Sequence, residues 1–266
     1  MNSNINAGDI VREYDALKDF TKKLSKFYVR EGQITKEAKE YLEYRGLNQE
    51  LCTSLGIGYA PFSERTLEFL RINSIPESYL VNAGVFIKKE GGVFDLFYNR
   101  IIFSLKDPFN DVVGFSGRIY KSDQQSLSKY VNSTSSILFQ KSLLLYNLSL
   151  AIPHIQRLGY CVLVEGMMDV IAFLKSGVYN VVAPCGTSLT TEQAKILRLY
   201  TKNVVTCYDN DEGGRESLPR ITTLLFNEGI TPHNISIFNE GEDPEDFIKK
   251  YSVTPILSFI SSLSFA

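Results

Sequence analysis

The sequence has few of the residues that zinc and redox sites require. It contains four cysteines and two histidines in 266 residues, with no CxxC pair and no histidine at zinc-ligand spacing from a cysteine. We therefore expect no zinc in this chain, and no disulfide framework in a chain of this size. Three of the cysteines stand in apolar runs, which favours a role as small core residues.

Several other features are missing. No run approaches the roughly 20 apolar residues of a membrane helix, and the N-terminal segment lacks the apolar core of a secretory signal. There is no GxxxxGK[ST] motif and no plausible Ser/His/Asp or Cys/His set, which excludes a P-loop ATPase and a triad hydrolase. The composition, 44% hydrophobic and 22% charged, predicts a soluble cytoplasmic protein with no membrane partner.

The net charge of −2 does not by itself indicate nucleic-acid binding. Its distribution is more informative, because residues 101–159 hold six Lys and Arg against three Asp and Glu, whereas residues 160–266 hold eight against thirteen. A basic segment followed by an acidic one suits a basic track that leads to a metal-loaded acidic site. Ordinary surface charge often produces the same counts.

The first half of the chain predicts an α+β arrangement. Helical periodicity changes at residue 85 to β-rich runs divided by turn signals such as Gly91-Gly92 and Asp107-Pro108, which predicts an antiparallel meander. A polar stretch over 121–129 predicts a loop. The predicted helices span 9–29, 35–45, 62–70 and 76–83.

The second half alternates short apolar runs with stretches of helical periodicity, which predicts βαβ units around a mainly parallel sheet. The fold class is therefore α/β overall. We predict domains at 1–157 and 158–250, followed by a tail or truncated helical region at 251–266. The predicted strands lie within 160–166, 179–186, 203–211 and 233–239.

Acidic residues follow three of these four strands. Because ligands of an open parallel sheet sit beyond the carboxyl ends of its strands, we expect these carboxylates to meet at one edge. Carboxylates so placed repel one another unless cations neutralise them, and oxygen ligands without His or Cys favour Mg²⁺ or Mn²⁺. Paired ions there would support an in-line phosphoryl displacement. The candidates are Glu165, Asp169, Asp209, Asp211, Asp243 and Glu245.

Each acid also has a simpler explanation. Glu165 or Asp209 alone could be a helix N-cap, and Asp243 could cap the last helix, where Pro244 suits the first turn. Asp169 could be a surface acid in an ordinary ion pair. Coincidence at three strand ends is less probable than at one, which favours the metal interpretation.

The motifs resemble one family. A glutamate after an apolar strand and DxD after another, here VEGMMDV and YDND with the later GEDPEDF, resemble the Toprim domain. Six stretches earlier and later in the chain are similar, in family order, to the RNA-polymerase core of DnaG-type primases. They are YLEYRGL with GIGYAP, FYNRIIFSLKD, VVGFSGRIY, KYVNS, LFQKSLLLYNL and PCGTSLT.

This resemblance implies roles for individual residues. Glu165, Asp209 and Asp211 match catalytic, metal-binding acids, with Asp169 nearby and Asp243 as a further ligand. Glu245 stands where the family usually has aspartate in DPD, so its carboxylate is displaced by one methylene. Six other positions match residues that bind template and incoming nucleotide; the alternative for each is a solvated surface side chain. They are Arg45, Arg100, Arg118, Lys129, Asn132 and Lys141.

The resemblance implies a primase core that copies single-stranded DNA into RNA primers from NTPs. The alternatives are a Toprim-type nuclease and an inactive nucleic-acid-binding adaptor of the replisome. The sequence shows no zinc module and no helicase-docking region of the kind such primases carry. A zinc-module chain and a replicative helicase are therefore the expected protein partners if those functions are supplied at all.

Overall fold

The computed structural model describes residues 7–120, 128–186, 188–235, 237–263 and 265. Most of the polar loop predicted over 121–129 lies outside these ranges. The fold is α/β, and the chain divides into two compact units. Unit 1 comprises Met1–Lys106 and Asp111–Gln140, and unit 2 comprises Asp107–Asn110 and Lys141–Ala266.

Unit 1 begins with a long helix that is followed by short helices and by strands. Its helices are α1 (Ala7–Ile34), α2 (Lys36–Tyr44), α3 (Gln49–Leu55), α4 (Ser63–Ile72) and α5 (Ser78–Asn82). Its strands are β1 (Ile57–Ala60), β2 (Phe86–Lys89), β3 (Gly92–Asp95), β4 (Arg100–Lys106), β5 (Val112–Arg118) and β6 (Tyr130–Asn132).

The antiparallel sheet of unit 1 has the order β1-β4-β5-β6, and β2 pairs with β3 in a separate hairpin. The predicted antiparallel pairing is therefore confirmed for β2 with β3 and for β4 with β5, but these pairs lie in separate sheets and do not form one meander. Strand β1, which the sequence reading missed, contains Gly58 where its backbone lies directly on α1. A Cβ there would stand 2.1 Å from the carbonyl oxygen of Tyr28. The glycine that permits this contact also weakens the strand signal.

The core of unit 1 forms between α1 and this sheet. Leu17, Phe20 and Leu24 recur at helical spacing along α1 and are buried. They belong to the same apolar cluster as Ile102 of β4 and Phe115 of β5. The predicted helix at 9–29 is confirmed and extends further at both ends.

Unit 2 alternates strands and helices along the chain. Its strands are β7 (Leu145–Tyr146), β8 (Cys161–Val164), β9 (Val181–Pro184), β10 (Asn203–Cys207) and β11 (Thr231–Asn234). Its helices are α6 (Leu148–Leu158), α7 (Met167–Lys175), α8 (Thr191–Arg198), α9 (Glu212–Asn227), α10 (Pro244–Tyr251) and α11 (Thr254–Ser261).

The sheet of unit 2 has the order β11-β10-β8-β9-β7. Strands β8 to β11 run parallel, as predicted, whereas the short β7 pairs antiparallel with β9. The strand predicted at 233–239 lies earlier, at Thr231–Asn234. This range includes Pro232, which is compatible with a strand here because β11 is at the edge of the sheet. The cysteines are all buried, as expected of core residues.

The compact units meet in sequence at Gln140 and Lys141, so β7 and α6 belong to unit 2. Compactness does not test the predicted domain boundary at 157/158, which stays a prediction. The region predicted at 251–266 as a tail or truncated helical region contains α11. None of the helices in the described ranges combines the length and the apolar character needed to cross a membrane.

Candidate active site

Glu165 and Asp209 lie together at the carboxyl edge of the unit 2 sheet. Strands β8 and β10 are parallel neighbours with Val164 opposite Cys207, so the residues that follow emerge at the same edge. The backbone N–H of Asp209 donates a hydrogen bond of 3.2 Å to Oε1 of Glu165. Burial, followed by the charges of Asp209 and Asp211, raises the pKa of Glu165 to about 7. The two acids therefore form a tight and electrostatically unfavourable pair.

This close approach depends on Gly214 in the first turn of α9. A Cβ there would lie 2.0 Å from the carbonyl oxygen of Asp209 and 2.9 Å from Oε1 of Glu165. Any side chain would displace the backbone at the site. The sequence analysis did not single out this residue, although the Gly-Gly pair directly after DNDE was a visible signal.

Asp169 projects from the first turn of α7 and is 8% exposed. Its Oδ2 accepts a hydrogen bond of 3.1 Å from the N–H of Gly166. Burial and then the charges of Asp209 and Asp243 raise its pKa well above the ordinary value. The alternative that Asp169 is a surface acid is therefore wrong.

Two of the candidate acids also cap helices. Asp211 is the N-cap of α9, where its Oδ1 accepts from Gly214 N–H at 2.8 Å, and Asp243 is the N-cap of α10, where its Oδ1 accepts from Asp246 N–H at 2.7 Å. The capping explanation is thus confirmed for Asp243. It is wrong for Glu165 and Asp209, because α7 begins at Gly166 as its cap and α9 at Asp211.

Glu245 completes the group from α10, which packs against α7. It is 8% exposed and forms an ion pair of 2.9 Å with Lys249, one turn later in the same helix. Lysine at this spacing from glutamate was visible in the sequence. Part of the negative charge of Glu245 is therefore already balanced within the chain.

The six acids belong to unit 2 and interact electrostatically, yet they do not form a closed cage. Among the residues that the structure describes, no three Asp, Glu, His or Cys side chains are arranged so as to hold a metal ion. The donors near the strand ends are carboxylate oxygens, which suit a hard divalent ion. Mg²⁺ commonly takes one or two protein carboxylates and completes its shell with water and substrate phosphate. The residues present fit that mode of binding.

The predicted template-binding residues of unit 1 fall on both faces of its sheet. Arg118 lies opposite Tyr130 in register, and its guanidinium stands 5.7 Å from the centre of that ring. Asn132 is two residues beyond Tyr130 on β6 and so shares that face. Nε of Arg118 is buried, and none of the described residues hydrogen-bonds to it.

Arg100 lies on the opposite face, because its neighbour Ile101 is the residue that pairs with Arg118. Arg100 is 6% exposed, and its Nη1 donates to the carbonyl oxygens of Gly117 at 3.3 Å and Ser128 at 3.0 Å. Burial lowers its pKa. These contacts are those of a structural arginine, and the alternative of a solvated cation is wrong for it.

The remaining three candidates lie outside strands β4, β5 and β6. Arg45 follows the last turn of α2 and is half-buried, while Lys129 is exposed just before β6. Lys141 belongs to unit 2, where its side chain lies over Gly186; a Cβ on that glycine would stand 2.6 Å from Cε of Lys141. Gly186 thus leaves the space that Lys141 occupies.

Comparison with known proteins identifies the fold and its lineage. The family model described as "DNA primase catalytic core, N-terminal domain" matches residues 27–152, and one described as "Toprim-like" matches residues 162–248. The chain belongs to the family of DnaG-type primase catalytic cores. The Toprim-like domains of such primases are generally metal-dependent.

Relatives of this primase family support the assignment over most of the chain. DNA primase of Aquifex aeolicus is 35% identical over 236 residues, which are 89% of this chain and 47% of that protein. The crystal structure of the zinc-binding and RNA polymerase domains of Aquifex aeolicus primase matches with a TM-score of 0.86 and 32% identity, over 97% of this chain and 62% of that one. A DnaG primase catalytic domain bound to ssDNA matches with a TM-score of 0.82 and 29% identity, over 94% and 80%.

The chain spans about half the length of the Aquifex aeolicus primase and about a third of some other curated relatives. The family models and relatives establish the primase family for this chain. The activity, substrates and partners of the longer relatives, and the roles of individual residues, are matters of proposal.

Proposed function

We propose that this chain is the catalytic core of a DNA primase, which synthesises short RNA primers from NTPs on single-stranded DNA. The observation that carries the proposal is the contact of Glu165 with Asp209 at the carboxyl edge of a Toprim-like sheet, with the buried Asp169 close enough for the charge of Asp209 to act on it. They come from separate segments of the chain, and their charges oppose one another. Such an arrangement is costly in a folded protein unless a cation serves a function there.

The proposed cofactor is Mg²⁺ or Mn²⁺, each ion held by one or two carboxylates drawn from the candidate set of Glu165, Asp169, Asp209, Asp211, Asp243 and Glu245. When bound, these ions would orient the attacking hydroxyl and stabilise the charge that develops on the phosphate. Glu165 and Asp209 hold the carboxylates nearest the strand ends, and Gly214 keeps that space open. The ion pair with Lys249 reduces the share of charge that Glu245 offers, so Glu245 is the weakest ligand of the set.

In the proposed reaction the 3′-hydroxyl of one ribonucleotide releases its proton to solvent, and its oxygen forms a bond to the α-phosphorus of the next. The bond from that phosphorus to the pyrophosphate breaks, and pyrophosphate leaves. The carboxylates of Asp209 and Asp211 would fix where the triphosphate can bind. Base pairing with the template selects the nucleotide, so the protein itself contributes position and charge.

For the template, the face of the unit 1 sheet with Arg118, Tyr130 and Asn132 offers a cation beside an aromatic ring and an amide. Guanidinium groups neutralise phosphate charge, and aromatic rings stack on bases. Arg45, Lys129 and Lys141 are assigned to template or nucleotide as well. We assign Arg100 to holding β5 and the segment before β6 in place.

We expect the protein to act in the cytoplasm, together with a zinc module and a replicative helicase that would supply initiation and coupling. A related primase catalytic domain has been solved with ssDNA, which supports single-stranded DNA as the template here.

The test is a primer-synthesis assay with purified protein, single-stranded DNA, labelled ribonucleotides and either Mg²⁺ or Mn²⁺. Products that lengthen with added nucleotide are expected, and EDTA should abolish them. Fragmented template would identify a Toprim-type nuclease instead, and DNA binding without either product would identify an inactive adaptor. Either result would overturn the proposal.

A further inference from the structure

Asn210 joins the two loops that carry most of the candidate acids. It stands between Asp209 and Asp211, after β10, and contacts the loop that follows β11. Its backbone N–H donates to the carbonyl oxygen of Glu242 at 3.1 Å, and its carbonyl oxygen accepts from Gly241 N–H at 2.8 Å. Its side-chain amide, through Nδ2, donates to the carbonyl oxygen of Phe238 at 2.8 Å.

The side-chain contact can be separated from the other two. The backbone pair with Gly241 and Glu242 needs no particular side chain at position 210. The bond to Phe238 requires an amide donor of this length. A substitution at Asn210 can therefore remove one of the three connections and leave the backbone pair in place.

Phe238, whose carbonyl oxygen accepts the side-chain hydrogen bond, is held in place by its own packing. Phe238 is buried, and its ring packs edge-on against Phe247 of α10, with ring centres 5.0 Å apart. The segment from Phe238 to Glu242 leads directly into Asp243, the N-cap of α10. Holding Phe238 therefore also holds the helix that presents Asp243 and Glu245.

The carboxylates on both sides of this connection act on one buried acid. The charges of Asp209 on the loop after β10, and of Asp243 and Glu245 at α10, all oppose the charge of Asp169 on α7. Without a cation this repulsion favours separation of both segments from Asp169. Hydrogen bonds between the two loops oppose the separation, so the carboxylates are already close before an ion arrives.

We infer that Asn210 is a positioning residue, which fixes the separation of the carboxylates after β10 from those of α10 and so sets the affinity for a divalent ion. The inference rests on the proposed function, which supplies the ion. Outer partners of metal ligands typically contribute about tenfold or more to metal affinity. An effect of about tenfold is expected here.

The experiment compares Asn210→Ala with Asn239→Ala in the full chain, without template or nucleotide. Asn239 is a matched control, because its amide donates to Oε2 of Glu242 at 3.0 Å within the same loop and does not reach β10. Free Mn²⁺ is measured by electron paramagnetic resonance as each protein is titrated. Mn²⁺ binding is expected to weaken about tenfold in Asn210→Ala and less than about twofold in Asn239→Ala.

Two further readouts separate positioning from general destabilisation. Hydrogen exchange at the Gly241 amide should accelerate in Asn210→Ala but not in Asn239→Ala. In primer synthesis, Asn210→Ala should need more Mn²⁺ for half-maximal rate yet reach the wild-type maximum. If Asn210→Ala does not fold, Asn210→Ser replaces it, because its shorter side chain stays polar but does not span to Phe238.

The outcomes distinguish this inference from the proposed function. Wild-type affinity in Asn210→Ala, or equal losses in both variants, overturns the inference alone. Asp209→Ala provides the reference for the site. If Asp209→Ala binds Mn²⁺ as the wild type does, or if the wild type binds none, the proposed function and the inference fail together.

Discussion

The acids of unit 2 and the basic residues of unit 1 reach their positions by different routes. Strands β8 to β11 of the unit 2 sheet all run the same way, so residues that follow β8 and β10 meet at one edge regardless of their distance in sequence. In the antiparallel sheet successive residues alternate between faces, so Arg100 and Arg118 separate although β4 and β5 are adjacent. In unit 2 the common direction of the strands places the acidic groups at one edge of the sheet. In unit 1 the pairing register determines on which face of the sheet each basic group lies.

The largest expected effect tests the acidic edge of unit 2. Asp209→Ala removes a carboxylate that is next to Glu165, and primer synthesis should fall on the order of 10³-fold or more. Folding should persist, because the hydrogen bond to Glu165 comes from the backbone of Asp209. Initial rates of ribonucleotide incorporation measure the first effect, and thermal melting measures the second.

Asp246→Ala is the matched control, because Asp246 is an exposed acid of α10 outside the candidate set. It should keep nearly the wild-type rate. If a well-folded Asp209→Ala protein synthesised primers at the normal rate, the acids at the carboxyl edge of the unit 2 sheet would not be the source of activity.

A smaller effect tests the two faces of the unit 1 sheet. Arg118→Ala should weaken single-stranded DNA binding about tenfold. The slope of log K against log salt concentration should fall by about one, because one phosphate contact is lost. Arg100→Ala should leave the salt dependence unchanged but lower the free energy of unfolding by about 1–3 kcal/mol, because the buried carbonyl oxygen of Gly117 and the part-buried one of Ser128 lose their donor. Fluorescence anisotropy across a salt series and urea unfolding measure the two quantities.

These arginine variants are controls for one another. If Arg100→Ala reduced the salt dependence and left stability intact, the assignment of faces by register would be wrong. If both variants lost stability equally, the guanidinium of Arg118 would be structural like that of Arg100.

The smallest effect concerns pH in the metal-free protein. Because folding raises the pKa of Glu165 from 4.5 to about 7, the folded state binds a proton in this window that the unfolded chain does not. The free energy of unfolding should therefore fall as pH rises from about 4.5 to about 7. Glu165→Gln keeps an acceptor for Asp209 N–H and should flatten this dependence, gaining on the order of 1 kcal/mol at pH 8 relative to wild type.

Urea unfolding in EDTA between pH 4.5 and 8 measures this dependence, with Glu192→Gln as an exposed control in α8. Parallel pH profiles for wild type and Glu165→Gln would show that the carboxyl of Glu165 does not titrate as described.

The sequence predicted the βαβ order of unit 2 because apolar runs, helical periodicity and acids follow one another in a fixed rhythm. It predicted that Glu165 and Asp209 lie at one edge of the sheet, where the structure has them, because neighbouring parallel strands end at the same edge. It could not show that Asp169 is buried, since an acid in the first turn of a helix is equally common at the surface.

Other features depended on contacts between distant residues. The strand β1 was missed because Gly58, needed for the contact with α1, is a poor strand former. The opposite faces of Arg100 and Arg118 follow from the pairing register of β4 and β5. A single sequence does not specify that register when apolar and polar residues do not alternate regularly along the strands. Family motifs place both arginines in the template set, whereas their contacts divide them.

Pro232 on β11 bears on how the protein behaves at high concentration. An edge strand offers unpaired N–H and carbonyl groups to any neighbouring chain, and intermolecular sheet growth starts from such borders. Proline has no N–H to offer, and β11 spans only Thr231–Asn234. The outer border of the unit 2 sheet is thus a poor template for aggregation, and replacing Pro232 with valine should make the protein more prone to it.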